Sequence, residues 1–477
     1  MTADHAQTEA ESAELIIVGG GLVGLSLAIA CAEGGIDTLV VEAESPETLT
    51  NANYDGRTCA IAHGSQQVLQ AIGAWEAMAP HAQPIVDIRV TDGGWHVKGE
   101  SHAYVHYSNR DLDQLSDVRD QMPVAGGNGD VIVSCETEPQ SRAEVARPGS
   151  IRHDLTSDIR PLTSGTPFGH IVENRITRMA LLARAQQCAK LTHVAPHLVT
   201  SLDLSTDAAR VILDDGRTFT AKLVVAADGK QSALRRMAGI NARNSGYNQT
   251  AIVCSVSHTK PHRGVAHEHF LPAGPFAMLP MTDERLADGS LRHRSSIVWS
   301  EDPRLVPMLL KLDDAEFGRE IERRFGLSLG RILPLGPRFS YPLTMLLADA
   351  YARERFALVG DAAHGIHPIA GQGFNLGVRD AAALAEILVE GKRAGFDIGA
   401  MQVLERYVRW RRFDNLMLST FMDGLTRLFS NDAAPLRLAR DAGFYLFNRM
   451  MPLKRLAMRH AMGVVGKLPR LVQGKPL

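Results

Sequence analysis

The chain reads as α/β: a Rossmann-like dinucleotide-binding domain, an inserted mixed β-sheet domain and a C-terminal helical region. Three observations predict this. A strand, a glycine turn, a helix and a second strand ending in an acid follow one another near the N-terminus. Two later apolar strands run into Asp-Gly and Gly-Asp turns. Between those two, apolar and polar residues alternate with the period of a half-covered sheet. The 477 residues suffice for two or three domains with large cores.

The first element is Leu15-Ile16-Ile17-Val18, a short run, β-branched at three of four positions, that reads as a buried parallel strand. Gly19, Gly21 and Gly24 follow in G-x-G-x-x-G spacing, and Leu25 to Ala32 reads as a helix. The strand Thr38 to Val41 ends at Glu42, eighteen residues after Gly24. Such glycines allow a tight turn and close approach of a pyrophosphate, and the acid accepts bonds from a ribose diol. The second strand end, Leu223 to Ala227, meets Asp228-Gly229; alone, that pair is an ordinary turn. The third, Phe356 to Val359, meets Gly360-Asp361 and then His367-Pro368-Ile369-Ala370-Gly371-Gln372-Gly373-Phe374-Asn375 at the mouth of a helix. Asp361 taken alone reads as a cap. The spacing of Gly371, Gln372, Gly373 and Asn375 points instead to a loop holding a large polar ligand at a helix N-terminus.

Composition excludes several classes. A net charge of −2 gives no electrostatic case for nucleic acid. Five scattered cysteines without C-x-x-C fit a reducing compartment with neither a disulfide framework nor a thiolate metal site. No apolar run reaches the ~18 residues of a membrane span, and the N-terminus lacks the pattern of a signal peptide. A cytoplasmic protein is expected, with peripheral contact at the inner membrane face as the alternative. His262, His267 and His269 cluster without a metal-binding pattern and read as decoration of a strand edge, so no metal is expected. His364 and His367 flank the glycine loop, where each reads equally well as a pocket-tuning or a structural histidine.

The order of these three strand ends resembles the flavin-dependent aromatic hydroxylases with the p-hydroxybenzoate hydroxylase fold. Within them, His367 through Asp380 closely resembles the signature of the ubiquinone-biosynthesis hydroxylases. Asp55-Gly56-Arg57-Thr58, Gly169 through Arg175, the stretch from Phe270 to Pro280, and Asp423 through Asn431 are similar to further family segments. The resemblance implies FAD as cofactor. Gly19, Gly21 and Gly24 would approach its pyrophosphate, Glu42 its adenosine ribose, and Asp361 its ribityl or pyrophosphate oxygens. Arg57 and Asn174 would contact the isoalloxazine side or the phosphates, and the backbone from Gly371 through Gln372 and Gly373 to Asn375 the pyrimidine edge. Asp228 and Gly229 would serve flavin or reductant. His367 and Pro368 would border the substrate pocket, with Phe276, Met278 and Leu279 as its apolar wall. No protein nucleophile or general base is named. The implied reaction is hydroxylation of a polyprenylated phenol by molecular oxygen through a flavin C4a-hydroperoxide, with NAD(P)H or a protein electron donor as reductant. Two other readings stand beside it: hydroxylation of a different aromatic, and a non-catalytic flavoprotein scaffold. A flavin halogenase is excluded, because Trp75, Trp95, Trp299 and Trp410 stand too far apart for W-x-W-x-I-P.

The resulting organisation is a discontinuous FAD-binding domain (13–75, 168–245 and 338–392) and a substrate domain (76–103 and 246–337), with strands around Ile252 to Val256 and Ser295 to Trp299. A polar insertion covers 104–167, and a helical region 393–477. Between Leu436 and Leu477 stand nine Lys or Arg and one acid, interleaved with apolar residues such as Phe444, Phe447 and Met450. This basic amphipathic tail fits an anionic membrane or a biosynthetic complex as well as it fits packing on the flavin domain.

Overall fold

The computed structural model describes residues 11–51, 56–92, 104–111, 165–366, 371–412 and 450–477. Its first sheet runs in the order Ala352–Arg353, Phe356–Leu358, Thr218–Ala226, Glu11–Val18, Thr38–Val41, Leu191–Val194. From Phe356–Leu358 to Leu191–Val194 the pairs are parallel. Leu15, Ile16 and Ile17 are fully buried, so their strand is apolar over this run rather than alternating. It starts at Glu11, earlier than the apolar run, because Glu11 to Ala13 also pair with Phe219 to Ala221. The helix Leu22–Glu33 buries nearly its whole surface, and Gln372–Arg393 packs beside it. Their approach is close: a side chain at Gly377 would stand 2.6 Å from Val23.

The second sheet has the order His364–Gly365, Ile332–Ala348, Ala242–His258, Leu291–Glu301, Gly274–Arg285, Val265–Leu271, Asp87–Asp92, Tyr104–Ser108. The two 17-residue strands, Ala242–His258 and Ile332–Ala348, pair from Ala242↔Ala348 to His258↔Ile332 and run unbroken through 245 and 338. Tyr104–Ser108 pairs with Asp87–Asp92 as an edge strand. Within the expected insertion, these five residues extend the edge of the sheet. Residues 112–164 of the expected insertion lie outside the described residues, as does the segment Asp423 through Asn431.

One face of this sheet is covered by the helix Asp314–Phe325, started by a capping box between Asp313 and Glu316. Phe317, Ile321 and Phe325 from the helix meet Phe276, Met278 and Trp299 from the strands. This corrects the expected pocket wall. Strand alternation turns Phe276 and Met278 toward the covering helix, whereas Leu279 faces the other way and packs on the flavin-domain core. The histidine expectation is corrected as well. His267 and His269 pack against Phe325 at ring distances of 5.2 and 5.0 Å, and His262 is buried and bonded to the Met281 carbonyl.

Burial pushes His267 down to about 3 and His269 to about 4. A histidine held neutral in the fold binds fewer protons than its unfolded counterpart once the pH drops below about 6.5. Stability therefore falls with acidification from about pH 6.5 toward pH 4. We expect the melting temperature to drop across that window and the drop to shrink in His269→Phe. An unchanged slope would contradict the assignment.

A small third sheet joins Thr58–Ala62, Gly169–Glu173 and Gln83–Ile85. In the tail, Met458, Met462, Val464, Leu468, Leu471 and Val472 are buried in the main core, and the Gly64 amide donates to the Met462 carbonyl at 2.9 Å. Over this stretch the apolar side packs on the flavin domain. Phe444 and Phe447 lie outside the described residues.

Candidate active site

The first strand ends at Gly19, whose φ of +105° only glycine adopts readily; a side chain there would also collide with the Ala227 carbonyl. A side chain at Gly24 would strike the Gly19 carbonyl. Gly21 caps the helix Leu22–Glu33 with no side-chain bond to the free amides, and among the described residues nothing lies within 4 Å of where its Cβ would stand. Open space at an uncapped helix N-terminus is an anion site. Glu42 holds the turn from the side: one carboxylate oxygen accepts from the Gly20 amide at 2.6 Å and the other from the Glu44 amide at 3.0 Å.

The second strand end lies against the first, with Ala227 and Asp228 forming the floor under Gly19. Asp228 accepts from the amides of Ala233 and Leu234 at 2.8 and 3.2 Å, so it caps the short helix Ala233–Met237. Its other oxygen is buried with no hydrogen-bond partner among the described residues. Gly229, at φ +79°, faces open space.

The third strand end closes the group. A side chain at Gly360 (φ +58°) would touch Val23, and one at Gly377 would stand 3.3 Å from the Gly360 Cα. The turns bearing Gly21 and Asp361 and the helix bearing Gly373 thus meet in one place. Asp361 is exposed, on the 3₁₀ turn Gly360–Ala362. Lys230 stands close enough for Asp361 to raise its pKa, although burial lowers it more. Gly371, at φ +62°, opens the helix Gln372–Arg393 without a side-chain cap, and no described residue lies within 4 Å of the Gly373 Cβ position. Gln372 is buried. The Asn375 side chain does not face open space. It accepts from the Ala62 amide at 2.9 Å and donates to the Ala60 carbonyl at 2.8 Å, tying the helix to the strand Thr58–Ala62.

Arg57 and Asn174 are brought together, with the Asn174 amide donating to the Arg57 carbonyl at 3.1 Å. Asn174 is buried and accepts from the Cys59 thiol at 2.9 Å. Arg57 stands over the Tyr341 ring. It lines a cavity of about 450 Å³ together with Glu173, Arg175, Glu284, Arg292 and Arg294, a lining with an excess of positive charge. His367 and Pro368 lie outside the described residues.

Sequence reasoning missed one cluster. Asp380, fully buried, accepts from Arg411 Nε at 2.8 Å and the Gly360 amide at 3.2 Å, and pairs with His364. Burial acts to raise its pKa, but His364 and Arg411 together hold the carboxyl well below the usual carboxylate range. His364 is therefore a hydrogen-bonded structural histidine. Asp380 stood in the motif, yet no spacing linked it to an arginine 31 residues on.

Open positions at Gly21, Gly229 and Gly373, two uncapped helix N-termini and the orphaned Asp228 oxygen together fit a long, phosphate-bearing cofactor such as FAD. Known proteins agree. Residues 12–412 match the family described as FAD binding domain. The chain is 45% identical over 469 residues to ubiquinone hydroxylase UbiL of Rhodospirillum rubrum, covering 98% of this chain and 94% of that one. It is 30% identical over 453 residues to 3-demethoxyubiquinol 3-hydroxylase of Escherichia coli, covering 94% and 98%. Among solved structures, p-nitrophenol 4-monooxygenase PnpA of Pseudomonas putida shares the fold, with a TM-score of 0.68 at 19% identity over 96% of this chain and 99% of that one.

Proposed function

Because the chain belongs to the FAD binding domain family and is an FAD-dependent aromatic hydroxylase akin to those of ubiquinone biosynthesis, we propose that it hydroxylates the ring of a polyprenylated phenol on the way to ubiquinone. The observation that carries the reading is the convergence of three strand ends on one glycine-lined cradle. Bound FAD would supply the oxygen-activating chemistry. The protein's part is to bind, orient and exclude water. In this reading Gly19, Gly21 and Gly24 take the pyrophosphate, with Glu42 fixing their turn and reaching the ribose. Amides from Gly371 to Gly373 stabilise negative charge on the pyrimidine edge. Asn174 and Asn375 position the backbone around the ring. The test is direct. The purified protein is expected to be yellow and to consume oxygen with a reductant and a prenylphenol, releasing the hydroxylated product. Protein that stays colourless after FAD is added sinks the proposal.

For the reductant, the arginine-lined cavity supports NAD(P)H over a protein donor, since a concave site of this size with excess positive charge suits a dinucleotide's phosphates. Arg175, a part-exposed residue of its lining, is the residue to change. We expect Arg175→Ala to raise KM for NAD(P)H about fivefold, the ~1 kcal/mol of a partly solvated charge pair. Reduction by dithionite should be unaffected. An unchanged KM would favour a protein donor.

The tail leaves room for membrane or complex contact. No helix among the described residues is long and apolar enough to cross a bilayer. Peripheral binding through the basic region is part of the proposal, to be read by flotation with anionic vesicles.

A further inference from the structure

Hydrogen-bonded pairing across the second sheet sets Val90, Glu268, Ala277, Val298, Val253 and Phe339 side by side in one row. Paired residues on neighbouring strands share a face, so Glu268 is one ionisable group in an otherwise apolar row. Its chain neighbours His267 and His269 turn the other way, against Phe325. Glu268 therefore projects from the face opposite the covering helix. On that face Leu279 and Met281 pack against the flavin-domain core, while Ala251, Val253 and Leu343, with Val298 and Tyr341, form a small cluster of their own. Glu268 is part-exposed, yet among the described residues no hydrogen bond or opposite charge offsets the burial of its carboxyl.

An unpaired carboxyl among valines and alanines destabilises a fold, and positions that break local rules in this way are where function is found. Resting on the reading that the substrate is a prenylated phenol, we propose that Glu268 binds the phenol hydroxyl and so sets which ring carbon is hydroxylated. Burial pushes its carboxyl up to about 8, which keeps it largely protonated at neutral pH. A protonated carboxyl offers one donor and one acceptor, and a neutral phenol offers the same two. The pair forms without stranding a charge in an apolar site. Apolar neighbours on either side leave the rest of the ring to be held by shape alone, so a single polar contact fixes its rotation.

The test uses the FAD-loaded enzyme and two ligands: the prenylphenol, and the same prenylated ring lacking the phenol hydroxyl. Dissociation constants are read from the perturbation of flavin absorbance. Glu268→Leu should weaken phenol binding about 10–100-fold, the consequence of losing the group's hydrogen-bond partner. The deoxy ligand should change by no more than about twofold, and Glu268→Gln, which keeps a donor and an acceptor, should retain phenol binding within about fivefold. Without ligand, Glu268→Leu should melt about 2 °C higher, because an idle, partly desolvated polar group has been removed. Equal changes for both ligands, no change for either, or a lower melting temperature would overturn the proposal. A wild-type holoenzyme that binds neither ligand would instead remove the prenylphenol reading on which it rests.

Discussion

Asp380→Asn is expected to yield a protein that melts about 5 °C below wild type and retains little FAD. The carboxylate is fully buried and sits between His364 and a fully buried Arg411. Removing its charge leaves a buried guanidinium short of that partner, and breaking such a pair costs about 3–5 kcal/mol. The loss reaches the cofactor because the same carboxylate holds the Gly360 amide at the third strand end. Since the folded carboxyl is held below its ordinary range, its contribution is present above about pH 4 and is lost only as acidification passes below that. Thermal denaturation and the FAD-to-protein absorbance ratio together check the result. A variant melting within about 2 °C of wild type would show that the cluster is not a keystone of this turn.

Gly21→Val should do the opposite: keep the fold and lose the cofactor. Gly21 has φ −69° and ψ −175°, which valine adopts without strain, and no atom of the described residues stands within 4 Å of the new Cβ. The added side chain enters only the space in front of the helix N-terminus. FAD affinity is expected to fall at least about 100-fold, equal to about 2.8 kcal/mol. The apoprotein should melt within about 1 °C of wild-type apoprotein. Gly24→Ala is the contrast, because its Cβ would strike the Gly19 carbonyl and disturb the turn itself. If Gly21→Val bound FAD normally, the cradle would have to lie elsewhere.

The three strand ends were legible because local chemistry dictates them. Buried parallel strands need unbroken apolar runs, and turns at φ above zero or against another backbone need glycine. Gly19, Gly24, Gly360 and Gly371 declare those needs one residue at a time. The side-chain roles were less legible. Asn375 read as part of a cofactor loop, yet its amide ties the strand Thr58–Ala62 to the helix. Asp228 read as a binding residue, and one of its oxygens caps a helix. Both placements depend on segments hundreds of residues away or on turn geometry that no spacing encodes.

By itself the sequence determined the dinucleotide turn, the α/β class and the family, since each rests on short-range patterns. Only the tertiary structure decided which face each substrate-sheet residue presents. Phe276 and Met278 went under the covering helix, and Glu268 went to the opposite face. A strand's alternation is visible in one dimension, but which of its two faces meets the other domain is set by strands and helices that pair with it from far along the chain.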